Sequence, residues 1–369
     1  MRDSFNTLPI GTLLPAMTRA EDMMARLDER ALRHPAAEGF CERGHFFDSA
    51  AALWVGGELV HVEDLVLHDA HMDARAPTHE LTIAHTILRT RRRLWHSEPD
   101  WWQSAAGFAA LRSGMSGGEE SAPRPVRSME NMAEPEDAED GETDALGEAF
   151  AEIDAAIARS EKALAGERMA EARGAEVDPL GLIHDEDWDE AARMDAWRDV
   201  VHEADLLPPA LAAAVLFDAW ERIEPLRRQH WLGSLLVSAY LRGRGKVTSH
   251  FFALNVGLKA VRHERRRASE RSVRLLAFLD AMAEAADAGL RELDRLLLAK
   301  MQMERRLKDR RSNSSLPGVI DLVLSRPIVS ANMVARHVGI TPRGALNLVS
   351  TLGLREMTGR GRYRGWGVL

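Results

Sequence analysis

The chain has 369 residues, a formal net charge of −9 and a hydrophobic content of 45%. This composition suits two or three folded domains, and it excludes a protein that coats nucleic acid through an overall positive charge. The single cysteine, Cys41, excludes an internal disulfide and a cysteine-based zinc cluster. We see no signal-peptide pattern at the start and no apolar run as long as a membrane span. We therefore expect a cytoplasmic protein with no membrane contact.

The first hundred residues show helical periodicity. Apolar residues at helical spacing predict helices over Thr18–Leu32, Phe46–Leu53 and Thr78–Trp95. The segment Trp54–Val60 between them is predicted as a turn or a small hairpin. We interpret residues 1–112 as an N-terminal helical domain.

Residues 113–147 have a different composition. The runs Gly117–Pro123 and Glu134–Glu142 are rich in acidic residues, glycine and proline and contain almost no side chains to bury. Such a composition cannot offset the entropy cost of folding, so we predict a disordered acidic linker.

Residues 148–311 are predicted as a central helical bundle. Helices are expected over Leu146–Leu164, Trp188–His202, Pro209–Arg222, Leu226–Arg242, Ser249–Arg262 and Ser269–Arg311. A helix as long as the last one flanks a bundle, links domains or pairs with a copy of itself. Residues 269–311 are therefore a candidate homodimer interface.

The most specific local pattern lies in residues 316–369. Val329–Gly339 predicts a short amphipathic helix with Ser330 as its N-cap and a glycine at its end. Ile340–Gly353 predicts a second helix, with Thr341 as its N-cap and a proline in the first helical position. Two short helices joined in this way are typical of a helix-turn-helix, whose second helix lies in the major groove of double-stranded DNA.

The second helix of this motif has two different faces. Apolar residues at positions i, i+3, i+4 and i+7 are predicted to face inward: Ala345, Leu348, Val349 and Leu352. Polar residues that can reach phosphates and base edges are predicted to face the DNA: Arg343, Asn347, Ser350 and Thr351.

The chain after Gly353 predicts a strand, a turn and a strand, the pattern of a wing. The turn places Arg360 and Arg362 beside glycines, so we expect both to contact DNA phosphates. From Leu316 onward seven arginines and two acidic residues give a local charge of +5, which is the expected footprint of a nucleic-acid site. Alternatively, the module mediates only protein contacts. The acidic linker is either solvated or competes with DNA for this module.

The predicted fold class is therefore mainly α: a helical N-terminal domain and a central helical bundle, followed by a C-terminal winged helix-turn-helix.

Motifs for catalysis or metal binding are weak. His68 and His71 could meet on one helix face, but His79 and His85 are six residues apart and cannot share one metal ion. We interpret these as ordinary surface or core histidines. Arg242–Lys246 lacks the setting of a phosphate-binding loop. We expect no cofactor, no metal and no catalytic residues.

Two segments carry a resemblance to a known family. Leu53–Leu65 and the tail from Arg343 to Trp366 resemble uncharacterised proteins of rhizobia and related alphaproteobacteria, often plasmid-borne. Those proteins join an N-terminal domain of unknown function to a C-terminal helix-turn-helix DNA-binding domain. The resemblance covers nearly the whole chain except the acidic linker, and it implies DNA binding.

A second, more distant resemblance begins at Ala213. The order of elements is similar to the Fic family of AMP-transferring enzymes, in which a His-Pro-Phe loop precedes a Gly-Asn-Gly-Arg phosphate cradle. Here Glu224 takes the histidine position, and Gln229-His230-Trp231 replaces the cradle. A phosphate cannot approach a helix start without slim glycines, and its charge lacks an arginine partner. This resemblance implies a catalytically degenerate scaffold for protein interactions.

The sequence thus predicts a DNA-binding transcriptional regulator that is not an enzyme. Its helical body would respond to an effector that the sequence does not identify, or set a dimer.

Overall fold

The structure, a computed structural model, describes residues 8–73, 76–113, 188–307, 316–358 and 364–368. The predicted acidic linker, apart from its first residue, and the predicted helix Leu146–Leu164 lie outside the described residues. Apart from Trp188 and Asp189, the described residues belong to one compact unit of the chain.

The structure confirms the mainly α fold class. The first stretch contains α1 (Ile10–Leu32), α2 (Ala37–Val55), α3 (Val62–Asp69), α4 (His79–His96), a short 3-10 helix (Trp101–Gln103) and α5 (Ala105–Ser113). The second contains α6 (Glu190–Ala204), α7 (Pro209–Ile223), α8 (Leu232–Gly243), α9 (Leu254–Ala260), α10 (His263–Arg266) and α11 (Arg271–Leu307). The third contains α12 (Leu316–Ser325), β1 (Val329–Ser330), α13 (Ala331–Val338), α14 (Pro342–Leu352), β2 (Arg355–Glu356) and β3 (Gly365–Gly367).

Several helix bounds differ from the prediction. Helix α1 begins at Ile10 rather than Thr18 and contains Pro15, and Leu13 in this additional part of the helix is buried. Helix α8 begins at Leu232 rather than Leu226. Glu224 takes a left-handed conformation (φ 48°) that ends α7. The possible hairpin at residues 54–60 is a turn.

The long helix α11 lies at the centre of the described core. It packs against α1, α7 and α9, and a Cβ added at Gly257 of α9 would lie 1.8 Å from the Ala281 carbonyl oxygen. Only glycine allows this approach. Helices from both predicted domains, residues 1–112 and 148–311, therefore share one core; the bounds of these domains stay a prediction.

The same packing accounts for most of the apolar residues that suggested a homodimer through residues 269–311. The apolar residues that suggested pairing are buried within their own chain: Leu275, Leu279, Met282 and Leu293. Leu298 and Met301, near the end of α11, remain exposed. The apolar stripe of α11 is thus largely explained by intramolecular packing.

An ion pair inside the core joins α2, α4 and the segment before α9. Arg91 donates to Asp48, and both side chains are 0% exposed. Arg91 also donates to the Phe251 carbonyl oxygen at 3.2 Å, and Asp48 accepts from the Asn255 amide at 2.9 Å. The carboxylate and the guanidinium are thus compensated by partners from three parts of the chain.

Two buried histidines predict a dependence of stability on pH. Burial lowers the pKa of His250 to about 4, and burial together with nearby Arg91 lowers the pKa of His45 well below its usual value. The unfolded state has ordinary histidine pKa values near 6.5, so it binds more protons than the folded state below that pH. The free energy of unfolding should be fully retained above pH 6.5. As the pH drops from 6.5 towards 4, each of the two histidines should lower the free energy of unfolding by roughly 1.4 kcal/mol per pH unit.

Urea unfolding at several pH values between 7 and 4.5 measures this loss. The variant His250→Phe should show a shallower slope than the parent protein, whatever its stability at pH 7. Equal slopes would contradict the assignment of His250.

Candidate DNA-binding surface

The first helix of the predicted helix-turn-helix is α13, and its ends are fixed by local interactions. The Ser330 hydroxyl accepts a hydrogen bond from the Met333 amide at 3.2 Å, as its N-cap position predicts. Gly339 ends the helix in a left-handed conformation with φ 67°. Met333 and Val334 are buried against the rest of the module. The helix is therefore held in place by its caps and by one apolar face.

The second helix, α14, is capped in the same manner. The Thr341 hydroxyl accepts from the Gly344 amide at 3.2 Å, and Pro342 occupies the first helical position. Gly353 ends the helix with φ 61°. The inward residues are buried as predicted, except that Leu348 is half-buried: Ala345, Leu348, Val349 and Leu352.

The outward face of α14 is open to solvent. Arg343, Asn347 and Ser350 are exposed, while Thr351 is half-buried. Leu346, which the sequence analysis left out, is 40% exposed on the same face. With Arg343, Asn347 and Ser350 it completes the spacing i, i+3, i+4, i+7, so the pattern could have found it. An exposed leucine here suits contact with a thymine methyl group.

A three-stranded sheet closes the module, in the order β1-β3-β2. In β1, Val329 is the register partner of Trp366, and in β2, Glu356 is the partner of the same tryptophan. Both pairings are antiparallel. The strand β1 was not predicted. The turn that carries Arg360 and Arg362 lies outside the described residues, so their predicted phosphate contacts stay predictions.

Two arginines of this module are paired with carboxylates. Arg326 pairs with Glu42 of α2 at 2.9 Å and lies over the Phe46 ring. Arg364 donates to Glu356 at 2.5 Å and lies over Trp366. The pairing of Arg326 with Glu42, which lies outside the module, lowers the local charge from +5 to +4. The arginines outside these two pairs are Arg336, Arg343 and Arg355, which are exposed, and Arg360 and Arg362, which lie outside the described residues.

The module is fixed to the helical body through surfaces other than the outward face of α14. Helix α12 lies on α2 so closely that a Cβ at Gly39 would be 2.6 Å from the Leu324 carbonyl oxygen. Arg43 of α2 donates to the Arg326 carbonyl oxygen at 2.5 Å. Arg306 of α11 donates to the Leu352 carbonyl oxygen. It thereby satisfies a free carbonyl at the end of α14.

The histidines considered as metal ligands contact nearby aspartates. His68 contacts Asp73 at 3.0 Å, and His85 contacts Asp69 at 3.3 Å. Within the described ranges, no group of three metal-binding side chains is brought together. Burial raises the pKa of the Cys41 thiol to about 11, which leaves it a poor nucleophile at neutral pH.

The region that resembles a Fic active site is filled by side chains. A Cβ at Gly233, near the start of α8, would lie 2.3 Å from the Trp220 ring. The Trp220 indole donates to the His230 carbonyl oxygen at 2.9 Å, and the His230 ring bonds Glu221 at 2.7 Å. This packing leaves no room for a phosphate at Gly233. The Fic-like resemblance stays a prediction.

Two known families match parts of the chain. Residues 316–369 match the family described as an HTH DNA binding domain, and residues 182–308 match the family described as a protein of unknown function, DUF1612. The uncharacterized protein y4cF of Sinorhizobium fredii is 46% identical over 358 residues, which cover 93% of each chain. The chain belongs to the y4cF family.

The y4cF family thus joins a DUF1612 region to a C-terminal helix-turn-helix DNA-binding domain. This confirms the first resemblance seen in the sequence. None of the helices in the described ranges combines the length and apolar content that a membrane span requires.

Proposed function

We propose that this member of the y4cF family is a sequence-specific DNA-binding protein that regulates transcription and has no catalytic activity of its own. The observation that carries the proposal is the free outward face of α14. The module is attached to the body through α12 and the end of α14, yet Arg343, Asn347 and Ser350 stay exposed. A helix held in this way can enter the major groove without separating the module from its body.

The residues of this face suit direct readout of base pairs. An arginine can bond guanine through two atoms, an asparagine can do the same with adenine, and an exposed leucine can contact thymine. Arg343, Asn347 and Leu346 supply these three groups within one helical turn. Ser350 and Thr351 would add contacts to bases or phosphates.

The hairpin of β2 and β3 would act as the wing, with Arg360 and Arg362 in its turn holding the phosphate backbone. An overall charge of −9 disfavours general attraction to DNA. Binding should therefore depend on a short contact surface. If the protein pairs through α11, the exposed Leu298 and Met301 are the apolar residues available for that contact.

The two parts of this surface should behave differently when they are changed. Asn347→Ala should lower affinity for the preferred site by about five- to tenfold and leave affinity for random DNA nearly unchanged. Arg360→Ala should weaken binding to both duplexes by a similar factor and reduce the salt slope by about one. Fluorescence anisotropy of the full chain at several salt concentrations measures both effects.

Equal losses on specific and random DNA from both variants would contradict this division of roles. Absence of any salt-dependent DNA binding by the full chain would overturn the proposed function. A module that serves only protein contacts would give that second result.

A further inference from the structure

A cavity of about 320 Å³ lies in the helical body, between α2, α9 and α11. Its wall is mainly apolar and includes several aromatic rings: Phe40, Phe47, Trp54, Phe251 and Phe252. Trp54 and Leu59 are partly exposed and lie at its edge. A cavity of this volume and lining has the character of a small-molecule site.

One polar group in the wall is buried without a hydrogen-bond partner. His250 lines the cavity and is 4% exposed, and among the described residues nothing bonds its Nε2 atom. A buried polar atom of this kind costs free energy unless it is satisfied. A ligand with a polar hydrogen, bound beside His250, would satisfy this atom.

The contacts of His250 decide which ligand atom would fit. Asp28 accepts bonds from the hydroxyls of Ser249 (2.7 Å) and Thr248 (2.9 Å), so the single Ser249 hydroxyl proton is already used. The Ser249 oxygen lies 2.9 Å from His250 Nδ1, so it accepts a hydrogen bond from the Nδ1–H group. Burial keeps the ring neutral, with a pKa of about 4. The Nε2 atom is therefore a lone-pair acceptor, and it requires a donor.

We propose that this cavity is a binding site for a small apolar ring compound that carries a hydroxyl group. The rings of the wall would pack on the apolar part, and the hydroxyl would donate to His250 Nε2. Arg295 also lines the cavity, and its Nε–H is buried without an acceptor in the described residues. It can donate to a second oxygen of the same compound.

A chain of hydrogen bonds connects the cavity to the DNA-binding module. Glu292 in its wall accepts a hydrogen bond from Arg43 at 2.6 Å. Arg43 is the residue that donates to the Arg326 carbonyl oxygen at the edge of the DNA-binding module. A compound that changes the pairing of Glu292 with Arg43 and Arg295 therefore acts directly on this attachment. The effector role rests on the proposed function, whereas the ligand site does not.

The ligand site is tested with two probes, 2-naphthol and naphthalene, and the full chain without DNA. A cavity without an acceptor would favour naphthalene, because the hydroxyl loses its bonds to water. We expect the opposite: 2-naphthol should bind about five- to tenfold more tightly than naphthalene. The variant His250→Phe should lose this preference while it still binds naphthalene. Saturation-transfer NMR titrations measure both affinities.

A second variant tests the cavity independently of His250. Gly44 lies in the cavity wall, and a Cβ there would meet no atom within 4 Å. Gly44→Leu should fill the space and weaken both probes by about tenfold or more. Gly11→Leu is the matched control, because Gly11 is exposed on α1 and has equally free surroundings. It should bind both probes like the parent protein.

Equal affinity of the parent protein for the two probes would overturn the assignment of His250. Unchanged binding by Gly44→Leu would overturn the site itself. With saturating 2-naphthol, the affinity of the parent protein for DNA should change by about fivefold or more, and that of Gly44→Leu should not. No change in the parent would overturn the effector role. If the parent protein does not bind DNA when neither probe is present, the proposed function is contradicted instead.

Discussion

Arg343→Ala should lower the affinity for a preferred DNA duplex by about tenfold or more, because an arginine bonded to guanine through two atoms contributes that much discrimination. The free energy of unfolding of the Arg343→Ala variant should not be lower than that of the parent protein. Arg343 lies in the first turn of α14 and is exposed, where the helix dipole disfavours a positive charge. Arg343 therefore does not stabilise α14, and its place on the exposed face fits a contact with an anionic partner such as DNA.

The control for this prediction removes the same charge elsewhere. Arg26 is exposed on α1 and pairs with Asp22 at 2.9 Å. It lies outside residues 316–369, which form the DNA-binding module. Arg26→Ala should leave DNA affinity within about twofold. Fluorescence anisotropy with the preferred and a scrambled duplex separates the outcomes. Equal losses in the two variants, or an equal loss on the scrambled duplex, would contradict the role of Arg343.

The largest effect on stability is expected from Asp48→Ala. This change leaves Arg91 charged and fully buried without its carboxylate partner, and such a loss typically costs about 3–5 kcal/mol. It also removes the acceptor of the Asn255 side chain and of the Val256 amide. Urea unfolding at pH 7 should therefore show a protein that is unfolded or close to it at low denaturant concentration.

Asp22→Ala is the matched control for Asp48→Ala. Asp22 also pairs with an arginine, but both side chains are more than half exposed. Exposed pairs on one helix contribute about 0.3–0.5 kcal/mol. A loss below about 1 kcal/mol for Asp48→Ala would show that the buried pair is dispensable and that the core is held by its apolar contacts alone.

The helix-turn-helix could be predicted because its signals are local. Ser330 and Thr341 cap their helices through amides three residues ahead, and Gly339 and Gly353 end them. Such contacts leave a pattern in the sequence that needs no tertiary information. The outward face of α14 followed from the same periodicity, although Leu346 was left out.

The parts that were missed depend on contacts between distant residues. Strand β1 exists because Val329 pairs with Trp366 near the chain end. The attachment of the module depends on Gly39 and Leu324, which touch across two helices far apart in sequence. Arg306 of α11 bonds the Leu352 carbonyl oxygen at the end of α14, 46 residues away, and the sequence does not reveal this contact. The cavity around His250 combines residues from five helices and has no sequence signal.

Selection of the full-length protein on a pool of random duplexes at physiological salt tests the central claim most directly. After a few rounds, the parent protein should enrich a common motif, and the Asn347→Ala variant should enrich a more degenerate one. A retained pool with the base composition of the input, at every salt concentration tested, would contradict the claim that α14 reads DNA sequence.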